Sequence, residues 1–440
     1  MRTMHTSAKL KGWMQAMLAV VLTAALVACG GGGGSSSNSS SNSSSGGGSA
    51  SGLNGGSLPA SPTQQPITPN GVNAVLITVG QGAAGVINIP TVSVTICAPG
   101  STSNCQTINN IQLDTGSFGL RVVSSVINQT LLSALPVSTI ASSGAQLAEC
   151  ATFADGYTWG SVRTATVTIG QETTTSSIPL QIIGDKAAST IPTSCSGMGS
   201  AENTVSDLGS NGILGVGTAP NDCGATCADA VAALKSSNYY ACPNGTSCTR
   251  TAVQLTQQVT NPVASFPVDN NGVIVQMAPV SDTGAASATG TLVFGIGTQG
   301  NNALAASQVF TTDTSGDLNS TFNGTTAPAF LDSGSNAYFF GDSTLAQCGS
   351  QFSGFYCPSS AQTRTVTLVG LNNVSAAANI GILNAQTLFA SGTSYAFNDL
   401  AGQISGNTSF DLGLPFFYGR YVYYHLDQTA SGGASPYVAY

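Results

Sequence analysis

Two segments of the sequence repeat one short pattern, an apolar run followed by Asp-(Thr/Ser)-Gly-Ser. The first reads Ile-Gln-Leu-Asp-Thr-Gly-Ser over residues 111–117, and the second reads Ala-Phe-Leu-Asp-Ser-Gly-Ser over residues 329–335. Apolar runs of this kind are typical of buried strands, and a carboxylate beside a buried strand is costly unless it is hydrogen-bonded. We therefore expect Asp114 and Asp332 to meet. Two facing carboxylates that share one proton can serve as general base and general acid.

Such a pair could hydrolyse a peptide bond without a covalent intermediate. The ionised aspartate would take a proton from a bridging water, while the protonated aspartate would donate to the carbonyl oxygen of the peptide. Gly116 and Gly334 fit this arrangement, because a residue without a side chain lets the backbone approach the carboxylates closely.

Rival chemistries can be judged from what the sequence lacks. Beyond residue 28 the chain has one histidine, His425, which lies in a Tyr-rich strand and is predicted to be structural. This disfavours Ser-His-Asp and Cys-His enzymes and histidine-based metal sites. A two-carboxylate glycosidase is chemically possible, but it has no reason to repeat one strand-turn motif. We predict no metal and no cofactor.

The segments that must position these aspartates have a β pattern. Apolar residues alternate at 75–79, 87–89, 92–96 and 165–169, with Gly, Pro and Asn clusters between them. Residues 290–295 and 421–424 continue the pattern. Helical patterning is confined chiefly to residues 228–235 and 252–259. The sequence therefore predicts a mainly β protein with a few short helices.

The N-terminus has the layout of an export signal. Three basic residues precede an apolar stretch over residues 17–28, which is too short to span a bilayer comfortably. Leu-Val-Ala-Cys at 26–29 resembles a bacterial lipobox, which implies cleavage before a lipid-modified Cys29; an ordinary signal peptide is the alternative. Gly30 after that cysteine implies the outer membrane by the same resemblance. We predict a signal peptide over 1–28 and a Gly/Ser/Asn-rich tether over 29–69.

Composition limits the partners of the exported chain. Charged residues make up only 6% of the sequence, far below the roughly 25% of ordinary globular proteins. Removal of the signal leaves seven basic and 18 acidic residues, a net charge of −11. Such a surface argues against nucleic acid or anionic lipid as a partner, so membrane association is expected through the lipid alone. We expect a monomer in the bacterial cell envelope.

Ten cysteines follow Cys29, an even number that predicts disulfides in an oxidising compartment. Close spacing favours Cys97 with Cys105 and Cys348 with Cys357, and Cys150 is a candidate partner for Cys195. The remaining four could pair in three ways or hold zinc, although no histidine is nearby. These four are Cys223, Cys227, Cys242 and Cys248.

Over most of its length from Val75 to Tyr440, the chain resembles pepsin-type aspartic peptidases. The matching segments occur in the family's order. They are the loop at 114–117, Asn-Gly-Ile-Leu-Gly at 211–215, Gln258 to Phe266, Gly-Thr-Leu-Val-Phe-Gly at 290–295, the loop at 332–335, and Leu-Gly-Leu-Pro-Phe-Phe at 412–417 leading to Asp427.

This resemblance implies a bilobal acid-protease fold, two six-stranded-barrel-type lobes with a cleft between them. The lobes would span 70–265 and 266–440, each with one catalytic aspartate. By the same resemblance, Thr115 and Ser333 join the lobes by hydrogen bonds, and Ser117 and Ser335 hydrogen-bond the outer carboxylate oxygens. The substrate would be a peptide or a protein.

The sequence departs from the family at the hairpin that covers the cleft, called the flap. Phe-Ala-Asp-Gly-Tyr-Thr-Trp-Gly at 153–160 occupies the flap, which puts Phe153 where the family has Tyr and Arg121 where it has the partner Trp. Gly156, Tyr157 and Trp159 are the other flap candidates, and either aromatic residue could substitute for the missing Tyr. In the second lobe, Asp411 replaces an expected apolar residue.

The sequence is compatible with three functions. The two intact aspartate loops favour an active endopeptidase. The altered flap is compatible with a catalytically silent binding or inhibitor module. The lipobox-like start is compatible with a surface module of the envelope.

Overall fold

The computed structural model of the chain describes residues 56–404 and 408–440. The predicted signal peptide, Cys29 and most of the predicted tether lie outside the described residues. The described part is mainly β with barrel-like sheets, which confirms the fold class predicted from the alternating apolar pattern.

The strands are numbered in chain order. They are β1 Ala74–Val79, β2 Pro90–Cys97, β3 Cys105–Asp114, β4 Phe118–Val123, β5 Gln146–Thr152, β6 Gly156–Ile169, β7 Glu172–Thr173, β8 Ile178–Ile183, β9 Ser200–Ala201, β10 Gly212–Val216, β11 Tyr239–Cys242, β12 Thr249–Arg250, β13 Gly272–Met277, β14 Ala288–Phe294, β15 Val309–Thr311, β16 Leu318–Phe322, β17 Thr325–Asp332, β18 Tyr338–Phe339, β19 Gln362–Val369, β20 Ser375–Ile382, β21 Ala401–Gly402, β22 Phe410–Gly413, β23 Tyr421–His425 and β24 Tyr437–Ala439.

The α-helices of the described residues are short. They are α1 Gln129–Ala134, α2 Thr193–Ser196, α3 Val205–Leu208, α4 Ala225–Ala228, α5 Ala233–Ser236 and α6 Ala385–Leu388. Short 3-10 helices occupy Ser124–Val126, Ala188–Thr190, Pro243–Gly245, Leu255–Gln257, Pro262–Ser265, Ser350–Phe352, Phe389–Ser391, Leu414–Phe417 and Thr429–Ser431.

Three local predictions were wrong. The alternating pair Ile87 and Ile89 is buried but lies in a turn rather than a strand, so burial and not pairing explains its apolar character. The helix predicted over 228–235 is two separate helices, α4 and α5, interrupted where Asp229 accepts hydrogen bonds from the following backbone. The helix predicted over 252–259 is only the 3-10 turn Leu255–Gln257.

The strands form two sheets. The larger sheet contains β1–β15 together with β23 and β24, and the smaller sheet contains β16–β22. β3 ends at Asp114 in the larger sheet, and β17 ends at Asp332 in the smaller one. The two repeated motifs are therefore contributed by different sheets.

Each aspartate strand is held in the same way. β3 pairs in parallel with β10, so that Asp114 lies opposite Gly215. β17 pairs in parallel with β22, so that Asp332 lies opposite Gly413. Both strands are covered by apolar packing in one continuous core that spans the two sheets. This burial fixes the strand ends from which the aspartates project.

Five disulfides are present among the described residues. Cys97–Cys105, Cys348–Cys357 and Cys150–Cys195 form as the sequence predicted. The four cysteines whose arrangement was open form Cys223–Cys227 and Cys242–Cys248. These four cysteines therefore close two short loops as disulfides and do not form a zinc site.

The last part of the predicted tether contacts the folded protein. The carbonyl of Ser57 accepts a hydrogen bond from Thr363 on β19, and the amide of Gln64 donates to Gly419 over 3.0 Å. The amide of Ile67 donates to the side chain of Gln276 over 2.9 Å. Residues 57–67 therefore form a strap across both sheets.

No helix within the described ranges is long and apolar enough to cross a membrane.

Candidate active site: two facing aspartates

The two Asp-(Thr/Ser)-Gly-Ser turns meet face to face. The carboxyl groups of Asp114 and Asp332 face each other, each beside the glycine of the opposite turn, and Asp114 is 7% exposed. The glycines make the approach possible. A Cβ on Gly116 would lie 2.5 Å from Cγ of Asp332, and a Cβ on Gly334 would lie 2.6 Å from Oδ1 of Asp114. Any larger residue at either position would separate the carboxylates.

Thr115 and Ser333 brace the two turns reciprocally. The amide of Thr115 donates to Oγ of Ser333 over 3.1 Å, and the amide of Ser333 donates to Oγ1 of Thr115 over 2.9 Å. Each hydroxyl then donates across to the opposite strand, Ser333 to the carbonyl of Leu113 and Thr115 to the carbonyl of Leu331. Four hydrogen bonds related by approximate two-fold symmetry thus hold the aspartates in register. One further cross-sheet bond runs from Gln112 to the carbonyl of Gly334.

The carboxylate oxygens receive matching donors from their own turns. The amides of Gly116 and Gly334 each donate to the Oδ1 atom of the aspartate two residues earlier, over 2.8 Å. The outer oxygen Oδ2 of Asp114 accepts from Ser117, and that of Asp332 accepts from Ser335 over 3.1 Å. The structure thus brings together all eight residues that the sequence predicted for the two loops.

Burial and charge repulsion change the protonation of this pair. Burial first, and then the neighbouring Asp332 carboxylate, raise the pKa of Asp114 to about 8, although hydrogen bonds from Ser117 and Gly116 oppose this rise. Two carboxylates in contact cannot both ionise at low cost. The pair therefore holds one proton near neutral pH, and that proton belongs to both groups.

The predicted flap residues lie on the β5–β6 hairpin, whose turn joins Phe153 to Gly156 through a backbone hydrogen bond of 2.8 Å. Trp159 is fully buried; its indole nitrogen donates to Thr190 and its ring contacts that of Tyr240 edge-on. Tyr157 is also buried in this cluster. Neither aromatic residue is placed to act as a mobile substitute at the hairpin tip.

Both edges of this hairpin are paired with other strands. β5 pairs with β11 on one side, and Gly156 and Tyr157 of β6 pair with β9 on the other. The Cys150–Cys195 disulfide ties β5 to helix α2, which directly precedes β9. The hairpin is therefore an internal part of a sheet rather than a projecting ribbon.

Arg121 and Phe153 do contact each other, as their sequence positions suggested. The Cζ atom of Arg121 lies 5.9 Å from the centroid of the Phe153 ring, which is within reach of a cation–π interaction. Arg121 is fully buried and bonds Glu149 over 2.6 Å and Asp222 over 3.2 Å. Tyr239 completes the cluster by donating to Asp222 over 2.5 Å.

The sequence did not predict roles for Glu149, Asp222 or Tyr239. Burial raises the pKa of Glu149 well above its usual value, against the attraction of Arg121. Although burial opposes it, the two carboxylates raise the pKa of Arg121, so the guanidinium stays charged. One signal was available: an arginine within the apolar strand β4 requires buried carboxylate partners.

The described ranges contain no group of three or more His, Cys, Asp or Glu residues that could hold a metal ion. His425 is buried, with Nδ1 against the carbonyl of Leu426 and its ring stacked on Tyr437. Separately, the two facing carboxyl groups of Asp114 and Asp332 can exchange protons with each other and with a molecule bound between them.

Comparison with known protein families finds a match over most of the chain. The model of the family described as "Protein of unknown function (DUF3443)" covers residues 69–440. The chain belongs to the DUF3443 family. The matched region includes both aspartate turns, the paired hairpin and the Arg121 cluster of this DUF3443 protein. No curated protein matches the sequence.

Proposed function

We propose that this DUF3443 protein is an aspartic endopeptidase that hydrolyses peptide bonds with a water activated by Asp114 and Asp332. The observation that carries the proposal is the reciprocal bracing of two facing carboxyl groups by Thr115 and Ser333. A merely structural carboxyl pair would gain nothing from such symmetric positioning.

The proposed reaction uses the single proton of the pair. The ionised carboxylate accepts a proton from a water that bridges the two groups, and the resulting hydroxide attacks the peptide carbonyl carbon. The other carboxyl donates its proton to the carbonyl oxygen, giving a neutral tetrahedral intermediate. Proton transfer to the amide nitrogen then releases the amine product. Each carboxyl acts as a base in one step and as an acid in the other. This exchange of roles is favoured when the two groups share one proton.

The order of the matching segments supports a pepsin-like bilobal fold, with residues 70–265 and 266–440 as its two lobes. The separation of the two turns into different sheets is compatible with this assignment. We further propose that Cys29 carries a lipid and displays the domain at the cell envelope, with the region before Ser57 as its tether.

Purified protein incubated with a diverse peptide library between pH 3 and 7 tests the proposal. We expect cleavage between apolar residues that is abolished by Asp114→Asn and by Asp332→Asn. The control is Asp313→Asn, an exposed aspartate that bonds only its own turn. Absence of cleavage at every pH would refute the peptidase, and cleavage that survives either active-site change would refute the mechanism.

A second candidate is a binding module on the same scaffold. Pairing on both edges of the β5–β6 hairpin restricts the opening movement that would admit a substrate, and Phe153 has no hydroxyl to donate. A statine-type transition-state mimic separates the two candidates. Tight binding that requires both aspartates supports the peptidase, whereas peptide binding without cleavage that survives Asp332→Asn supports the binding module.

A further inference from the structure

A third carboxyl group contacts the site through Ser335. The hydroxyl Oγ of Ser335 lies 3.1 Å from Oδ2 of Asp332 and 2.6 Å from Oδ2 of Asp411. Asp411 lies on β22 and is 5% exposed. A serine hydroxyl carries one hydrogen, so it can donate to only one of these two carboxylates at a time.

Counting protons shows what this geometry requires. If Asp411 and Asp332 were both ionised, one of the two short oxygen–oxygen contacts would have no hydrogen in it, which is unfavourable for buried groups. A proton on Oδ2 of Asp332 or on Asp411 resolves this conflict. When Asp411 holds the proton, it donates to Oγ of Ser335, and the hydroxyl of Ser335 donates to Asp332. In that state Asp332 receives the same support that Ser117 gives Asp114.

The first aspartate loop has no such third group. In β10, the residue that corresponds to Asp411 is Ile213, because Ile213 lies opposite Gln112 just as Asp411 lies opposite Phe330. Ser117 therefore donates to Asp114 without a competing carboxylate of this kind. The carboxyl on β22 makes the two otherwise symmetric halves of the site unequal.

Asp411 is connected to the aspartate pair through Ser335. Its paired neighbours on the flanking strands are Phe330 on β17 and Phe339 on β18. Because successive side chains of a strand alternate between its two faces, Tyr338 lies on the opposite face of β18 from Phe339, and the nearby charge on that side is Arg420. The titratable group that Asp411 reaches through a hydrogen bond to Ser335 is Asp332, with Asp114 beyond it.

We propose that Asp411 is a positioning residue that sets the proton content of the Asp114–Asp332 pair through Ser335. Loss of the Asp411 proton turns the Ser335 hydroxyl toward Asp411, removes a donor from Asp332 and adds a negative charge nearby. Both effects make the pair hold its shared proton to higher pH. This inference deepens the proposed peptidase, because it concerns the same two aspartates.

Carboxyl titration of ¹³C-labelled aspartates by NMR tests the inference without requiring activity. In the wild-type protein we expect three coupled titration steps from the two active-site aspartates and Asp411. Asp411→Asn should leave two steps, because asparagine does not titrate. It should also lower the upper apparent pKa of the pair by roughly one to two units, because the amide can donate to Ser335 permanently. Asp411→Ile, which copies the first loop, should do the same if the variant folds.

The matched control is Ser117→Ala against Ser335→Ala. Ser335→Ala should uncouple Asp411 from the pair, whereas Ser117→Ala should leave the coupling intact. Two steps in the wild-type protein, or an unchanged upper pKa in Asp411→Asn, would overturn the role of Asp411. A peptidase assay on the same variants distinguishes failure of this inference from failure of the proposed function. Three coupled titration steps without cleavage would refute only the proposed function. If cleavage occurs, the alkaline limb of kcat should move to lower pH in Asp411→Asn.

Discussion

Replacing Asp114 with asparagine should stabilise the folded protein at neutral pH. The folded state raises the pKa of this carboxyl from 3.8 to about 8, first through burial and then through Asp332. Between these two pH values the folded chain binds a proton that the unfolded chain has released. Stability must therefore fall as pH rises through this window, and a side chain that does not titrate escapes that loss.

The size of the effect follows from the width of the window. At pH 7 the proton is retained roughly three units above the unfolded pKa, and each unit corresponds to about 1.4 kcal/mol, so the upper limit is on the order of 4 kcal/mol. At pH 4 the expected difference is close to zero. The hydrogen bonds that Gly116 and Ser117 donate to the carboxylate reduce the gain, because an asparagine accepts them less strongly.

Urea unfolding at pH 4, 5.5 and 7, with the disulfides intact, measures this difference. The control is Asp342→Asn, since Thr344 and Arg364 lower the pKa of Asp342 despite its burial. That contribution is present above the unfolded pKa and is lost on acidification, so Asp342→Asn should destabilise at pH 7 and progressively less toward pH 3. An Asp114→Asn protein that is equally stable to wild type at all three pH values would refute the reasoning.

Two further changes test other parts of the structure. Arg121→Met should destabilise the protein by roughly 3–5 kcal/mol at pH 7, because Glu149 and Asp222 would be left buried without their cation; thermal unfolding measures this, and a loss below about 1 kcal/mol would contradict the ion-pair assignment. Cys29→Ser should release the protein from the membrane fraction of bacterial cells, and its retention there would contradict the lipid anchor.

The β-strands were the most predictable part of this fold. Alternation in 75–79, 92–96 and 165–169 corresponds to β1, β2 and β6, because half-buried strands impose a period of two on the sequence. The helices over 228–235 and 252–259 could not be placed. Short segments closed by local disulfides and side-chain hydrogen bonds do not depend on helical periodicity.

The turn residues of the site were predictable because the repeat marks them directly. The hairpin was less so: sequence order identified Phe153 and Arg121, but the buried carboxylates that hold the arginine are 28 and 101 residues away from it. Contacts at that distance leave no local pattern. The competition at Ser335 also depends on a strand pairing, β17 with β22, that the sequence does not specify.

The crossed hydrogen bonds of Thr115 and Ser333 have a consequence for how the chain can be divided. Each turn relies on the other for partners to its buried amide and hydroxyl groups, and β23 and β24 from the end of the chain complete the larger sheet. No disulfide of the described residues crosses the exposed position Asp313. If the chain were cut at Asp313, no disulfide of the described residues would link the two fragments. Each fragment would still need the other to complete its hydrogen bonds, so the two are complementary pieces of one folding unit.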